Sequence, residues 1–224
     1  MNPDRPVRKI PTSTRSITGL MSTSDKDGQA FESTLERDLM YLLKFDVTVD
    51  KFVSQPVKIK YLDKQNIFHP YTPDIIIYHR KDFPEARKKK TILAEVKYKD
   101  DLCKNFREYH PKFRAAMRYA KEKDWVFKVY TEAHIRTPYL KNAKFLLGYV
   151  NIKYDPMIIE SLLVRLDDLR ETNPQSLLAS FYTDKFNQAK LLPAIWYLIA
   201  RRSIGTNLHY PLTMSSRIWR MHYE

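Results

Sequence analysis

At 224 residues the chain can bury one medium core or two small ones, and its single cysteine, Cys103, excludes an intrachain disulfide. It holds no apolar run of about 18 residues, which argues against a signal h-region or a spanning helix and makes a soluble, cytoplasmic protein the expectation. A formal charge of +13 and a pI near 9.6 accompany a 43% hydrophobic fraction, so the chain reads as a folded protein whose basic surface suits a polyanion; a generic basic surface is the plain alternative.

Residues 1–30 are rich in Arg, Lys, Ser, Thr and Pro, show little periodicity, and read as a basic arm that packs only in part and is placed to touch DNA. From Phe31 the pattern becomes helical: FESTLERDLMYLLKF sets Phe31, Leu35, Leu39, Leu42 and Leu43 on one stripe, and VTVD reads as the end of that helix. QPVKIKY then alternates Val57, Ile59 and Tyr61 with Lys58 and Lys60, DKQN supplies a turn, and IFHPYTPDIIIY reads as the returning strand. After the charged loop HRKDFPEARKKK comes a third strand, TILAEVK. A helix over residues 104–123 follows, with Phe106, Phe113, Met117 and Ala120 inward, and then the strand WVFKVYT. The order is α-β-β-β-α-β, so residues 31–148 are expected to form an α/β domain, a mixed sheet flanked by helices.

Composition shifts again near Gly148. Over residues 149–224, DPMIIESLLVRLDDLRETN, PQSLLASFY and DKFNQAKLLPAIWYLIARR read as three helices and IGTNLHYPLTMSSRIW as a short hairpin. Three short helices with a terminal hairpin point to a C-terminal winged-helix domain. Pro193 marks either a kink in the third helix or a wrong boundary.

The charged residues within apolar strands carry the chemistry. Asp74 opens its strand behind Pro73, which holds the preceding backbone extended, while Glu95 and Lys97 lie two apart and share a face that Ala94 and Val96 avoid. Left unpaired, such groups are costly, and a hard divalent cation relieves the cost: Mg²⁺, with Mn²⁺ as substitute, takes one or two carboxylates and keeps water and phosphate oxygens. Lys97 would then hold or polarise the attacking water, or balance charge on a phosphate. A P-D followed downstream by E-x-K is the pattern of the PD-(D/E)xK nucleases, although the string is short and its plain alternative is a surface pairing of these three residues. Adjacent strands, flanking helices and the basic charge favour the nuclease; a nuclease fold used only for binding is the other reading. Glu32 and Glu36, four apart on a helix, repel by about 0.3 kcal/mol unless a cation stands nearby; otherwise they are two solvated glutamates beside Arg37.

Taken in order, FESTLERDLMYLLKFDVTVDKFVSQPVKIKY, YTPDIIIY, ILAEVKYKDDL and VFKVYTEAHIR resemble TnsA, the endonuclease family of heteromeric transposases. The likeness covers most of residues 5–148, including the KIPTSTRSITG arm, and extends more loosely to the C-terminal domain. It implies a restriction-endonuclease-like catalytic domain and a winged-helix domain. It also implies cleavage of the 5′, non-transferred strands at transposon ends by a bacterial, DNA-associated protein, with a DDE transposase, TnsB, handling the 3′ ends and an AAA+ ATPase, TnsC, linking both to target selection. A non-catalytic winged-helix DNA-binding adaptor on a nuclease-like scaffold is the alternative. By the resemblance, the catalytic set is Glu36, Asp74, Glu95 and Lys97, with the three carboxylates as metal ligands; Glu32 has no counterpart, and the family also accepts Gln at the position of Glu95.

The remaining candidates are weaker. His69 reads as a hydrogen-bonded structural residue, Cys103 lacks a constellation for nucleophilic work, and four glycines without a phosphate loop leave ATP to a partner. Lys88, Lys89 and Lys90 with Arg87, then Lys104, Arg107, Lys112, Arg114, Arg118 and Lys121, are suited to phosphate contacts that position DNA without reading it, against the plain alternative of a solvated face. Arg201, Arg202, Arg217 and Arg220 flank the terminal hairpin.

Overall fold

A computed structural model describes residues 18–22 and 28–222. Most of the 1–30 arm therefore lies outside the described residues. By their contacts the residues form two compact units, one ending at Arg136 and the other starting at Thr137.

The first unit begins with an antiparallel pair, β1 (Gly19–Met21) and β2 (Gln29–Phe31), followed by α1 (Thr34–Phe45). Helix α1 buries Leu35, Leu39, Met40 and Leu43; Phe31, expected on the same stripe, belongs to β2 instead. VTVD does not merely end the helix. It opens a strand, β3 (Val49–Ser54), that the helical reading passed over because Asp50 and Lys51 interrupt its apolar pattern, leaving Phe52 and Val53 as its buried apolar residues. The ribbon β4 (Ile59–Leu62) and β5 (Phe68–Tyr71) follows, and then β6 (Ile75–His79), β7 (Ile92–Val96), α2 (Lys99–Lys104), α3 (Phe106–Glu122), β8 (Val126–Tyr130) and the single turn α4 (Glu132–Ile135). The expected single returning strand is thus two strands in two sheets. Pro73 cannot donate to a ladder, so the chain leaves the ribbon at Tyr71 and joins the main sheet at Ile75.

The main sheet has the order β3-β6-β7-β8. Its first two pairings are antiparallel, and the last is parallel because the α2–α3 crossover separates β7 from β8. It is the mixed sheet the sequence led us to expect. On one face Val53, Ile76 and Leu93 pack with Val57, Ile59 and Tyr71 of the ribbon segment and with Ala115, Ala116 and Ala120 of α3. Phe106 and Met117, assigned inward by the sequence reading, are about half exposed (52% and 49%), and Ala115, Ala116 and Ala120 pack against the ribbon in their place.

In the second unit, α5 (Pro138–Leu147), α6 (Pro156–Leu169), α7 (Pro174–Ala179) and α8 (Lys185–Ala200) accompany a small antiparallel sheet of β9 (Glu171–Thr172), β10 (Ile204–Thr206) and β11 (Ile218–Arg220), in the order β10-β11-β9. Helix α8 runs through Pro193, and Ala194, Ile195, Leu198 and Ile199 are buried beyond it. Contacts group α5 with α8, where the composition shift near Gly148 would have left it in the first unit. Gly205 lies opposite Trp219, and a Cβ there would fall 2.4 Å from the indole nitrogen, so the strand pair admits only glycine at that point.

Asn142, buried on α5, holds the connection before β11. Its Nδ2 donates to the carbonyls of Leu208 and Tyr210, each at 2.8 Å, and its Oδ1 accepts from the Leu212 amide at 3.1 Å. Asn142→Ala strands these backbone groups and should destabilise the protein by about 2 kcal/mol in a urea titration, with faster hydrogen exchange at the Leu212 amide. Unchanged exchange there would show that the connection is held by something else.

Candidate active site

The register of β6 on β7 places the charges. Ile75 pairs with Ala94, so the next step sets Asp74 opposite Glu95, both on the same face and about 5 Å apart at Cβ, where the ladder stops. Asp74 Oδ2 accepts the Val96 N–H at 2.7 Å, and the Asp74 carbonyl accepts the Gln55 N–H at 2.7 Å from a backbone in the left-handed region (φ 48°). The residue is therefore tied to both neighbouring strands.

Lys97 continues the same face of β7. Its Nζ stands 2.8 Å from Glu95 Oε1 and 3.5 Å from Asp74 Oδ2, and donates to the Val96 carbonyl at 3.1 Å. Tyr71, on β5, donates its hydroxyl to Glu95 Oε2 at 2.6 Å. Glu95 is 4% exposed, with a donor on each oxygen, whereas the Asp74 side chain is 17% exposed; among the described residues its Oδ1 has no protein donor.

Glu36 enters from the start of α1. Ser33 caps that helix by accepting the Glu36 N–H at 3.1 Å. The Glu36 carboxylate turns back to accept the Glu32 N–H at 2.9 Å and the Ser33 hydroxyl at 2.8 Å, a variant of the capping box. Burial and then the charge of Asp74 push its pKa up to about 7, which places the two carboxylates in one electrostatic neighbourhood. Burial, followed by Asp74, likewise pushes Glu95 to about 7 against the pull of Lys97 and Tyr71. Burial raises Asp74 too, with Lys97 and the Val96 N–H opposing it and the charge of Glu32 adding to it. Burial works to lower the pKa of Lys97, yet Asp74 and Glu95 together hold it above its ordinary value.

Asp74 and Glu95 thus face one ammonium, and the charge of Glu36 is felt from the start of α1. That surplus of negative charge, with a free oxygen on Asp74, fits a hard cation held by Asp74 and Glu95 together with water and phosphate oxygens. Among the described residues no three His, Cys, Asp or Glu side chains already form a metal-holding array, because Glu36 is turned into its cap and Lys97 stands between the other two.

Tyr71, Tyr109 and Gln55 were missed by the sequence reading. Tyr109, on α3, donates to Asp101 Oδ2 at 2.7 Å, and its ring centroid lies 5.9 Å from Lys97 Nζ. For Tyr71 the signal was its place three residues before Asp74; Gln55 gave none. His69 pairs with Asp63 at 2.7 Å, and Cys103 is exposed.

The basic candidates separate. Lys89 donates to Thr48 Oγ1 at 3.0 Å and Lys90 to Asp124 Oδ1 at 2.5 Å; both line a cavity of about 430 Å³ with His79 and Lys128. Lys90 precedes β7 and Glu95 lies near its end, a separation of about 16 Å along the strand. Lys88 and Lys104 are exposed, as are Arg107 and Arg114 on α3. Near the terminal hairpin, Arg217 pairs with Glu171, Arg220 pairs with Asp167, and Arg202 donates to the Tyr139 hydroxyl at 3.0 Å.

Residues 46–132 match the family model described as TnsA-like endonuclease N terminal, and residues 134–208 match the one described as TnsA endonuclease C terminal. No curated protein matches the chain.

Glu36 carries both a capping and an electrostatic role, and its substitutions separate them. Glu36→Ala should lower stability by about 1 kcal/mol in a urea titration, and Glu36→Gln, which keeps an acceptor oxygen, by clearly less. Equal stability of Glu36→Ala and the parent would remove the cap from the account.

Proposed function

The chain belongs to the TnsA family of endonucleases, and on that premise we propose that it cleaves the 5′, non-transferred strands of duplex DNA at transposon ends, so that insertion proceeds by cut and paste. The observation that carries this reading is the meeting of Asp74, Glu95 and Lys97 at one end of the β6–β7 pair. Its partners in the proposal are a DDE transposase of the TnsB type and an AAA+ ATPase of the TnsC type. No helix among the described residues is long and apolar enough to cross a membrane.

Asp74 and Glu95 would hold Mg²⁺, which Mn²⁺ would replace, with Glu36 contributing its charge from the start of α1. When bound, the ion supplies Lewis acidity toward a phosphoryl oxygen and a nucleophile from water at neutral pH. The chain's own residues do the rest. Against burial, Asp74 and Glu95 hold the pKa of Lys97 above its ordinary value, so this ammonium would donate hydrogen bonds and offset negative charge as the attacked phosphate gains it. Tyr71 fixes one oxygen of Glu95 and leaves its carboxylate a single orientation, while the Val96 N–H does the same for Asp74. Water attacks phosphorus in line and gives up a proton to solvent, while the bond to the 3′ oxygen breaks and that oxygen takes a proton from solvent, leaving a 5′-phosphate and a 3′-hydroxyl. For the second unit, α6, α7, α8 and the β10–β11 hairpin support a winged-helix reading, with DNA or an acidic partner as its contact.

Asp74→Ala removes a ligand without emptying core volume, so the fold should persist. In a full transposition assay the partner's 3′ cleavage and strand transfer should continue, and the donor should remain joined at the 5′ ends. Long-read sequencing should then show cointegrates in place of simple insertions for Asp74→Ala and for Lys97→Ala. Mostly simple insertions from both variants would refute second-strand cleavage at this site.

A further inference from the structure

Beside the carboxylates lies a second feature with no part in the chemistry above. A groove of about 320 Å³ runs between α3 and the tip of the β4–β5 ribbon, lined by Asp63, Lys64, Arg107, His110, Arg114 and Arg118. The α3 members fall at intervals of three, four and four, which is one face of a helix, and all are exposed. Over the 11 helical steps from Arg107 to Arg118 that face extends about 16 Å, the length of four or five nucleotides of one strand at about 3.4 Å each.

The charge of this groove is of one sign in effect. Among the described residues its one lining carboxylate, Asp63, is consumed locally: Oδ1 accepts the Gln65 and Ile67 amides at 2.8 and 2.9 Å, and Oδ2 meets His69 at 2.7 Å. Among the described residues no carboxylate pairs with Lys64, Arg107, Arg114 or Arg118. Both walls are also held in place, because Ile59 and Tyr71 of the ribbon pack against Ala115, Ala116 and Ala120 of α3.

We infer that this groove is a backbone-phosphate subsite for duplex DNA that holds the substrate in register with the carboxylates. The inference rests on the endonuclease reading for its substrate class. The ribbon supplies the register: at its base Tyr71 is paired with Ile59 and bonded to Glu95, and Leu62, at the groove, lies three residues further along β4. That is about 10 Å, the rise of about three base pairs. Helix α3 supplies the same link again, since Tyr109, beside Lys97, immediately precedes His110 in the groove. Guanidinium forks suit phosphate oxygens, and the lining lacks the aromatic centre of a protein-docking surface. An engaged phosphate here would fix the strand by position and not by base sequence.

The test uses the full chain and a fluorescent duplex of about 30 base pairs, titrated at several salt concentrations. The triple variant Arg107→Ala/Arg114→Ala/Arg118→Ala should bind at least tenfold more weakly at low salt, with the slope of log K against log salt shallower by up to about 2.7. Arg114→Glu alone should weaken binding in the same direction, and both variants should unfold at the parent's temperature because the positions are exposed. Replacing a run of strand phosphates with neutral methylphosphonates should weaken the parent and leave the triple variant indifferent. Asp74→Ala should bind as the parent does while losing second-strand cleavage, which separates the two readings. An unchanged slope in the arginine variants beside an inactive Asp74→Ala would overturn the groove and leave the nuclease standing. Loss of partner association with DNA binding intact would overturn it in favour of an acidic protein surface, and a parent without salt-dependent binding would overturn it outright.

Discussion

Two carboxylates set opposite each other across an antiparallel ladder repel, and the first unit is arranged to keep Asp74 and Glu95 there. With unit charges about 5 Å apart and an effective dielectric of about 20, the repulsion is about 3 kcal/mol; the attraction of Lys97 for both, at its observed distances, is about 10 kcal/mol before desolvation. The lysine therefore decides the sign. Burial then works against all three groups, which is why Glu95 keeps a high proton affinity even with donors on both oxygens.

This arrangement depends on backbone features that precede it in the chain. Pro73 breaks the strand, which frees the Asp74 carboxylate to take the Val96 N–H in place of a ladder carbonyl. The same break sends Phe68–Tyr71 into a separate ribbon, and only from there does Tyr71 reach Glu95. One imino acid thus separates the strand that follows Asp74 from the strand whose Tyr71 orients Glu95. Gln55 closes the arrangement from β3, donating its N–H to Asp74 from a backbone that few residues other than glycine adopt.

The legible part of the site was the part written in local pattern. Asp74, Glu95 and Lys97 sit among Ile, Ala and Val at period 2, and the strand geometry alone puts Glu95 and Lys97 on one face. The mixed sheet followed from the same periodicity. Glu36 was readable for chemistry only through resemblance, yet its capping role was present in the plain string S-T-L-E and was passed over. What stayed hidden depends on contacts distant in sequence. The place of Tyr71 three residues before Asp74 marks it as near the site, but only the contact across 24 residues shows its hydroxyl aimed at Glu95. Phe106 and Met117 fitted an inward stripe as well as Ala115 and Ala116 do, until the nearby ribbon decided between them. The grouping of α5 with α8 is likewise a matter of packing that composition near Gly148 does not express.

Net charge shows the same limit more sharply, because +13 is a sum and a site is a location. Many of the cations are already engaged: Arg136 with Asp38, Arg217 with Glu171, Arg220 with Asp167, Lys90 with Asp124 and Lys112 with Glu108. Such pairs return little stability at the surface, but they remove those residues from the charge a phosphate would meet first. Lys97 is withdrawn too, between its carboxylates. Among the described residues the face of α3 that carries Arg107, Arg114 and Arg118 has no paired acidic neighbour of this kind, and Asp63 beside it is turned into its own loop. Sorted by partner, the basic composition leaves among its unpaired groups one ordered stripe on α3, which the packing of alanines against the ribbon ties to the strands bearing Asp74 and Glu95.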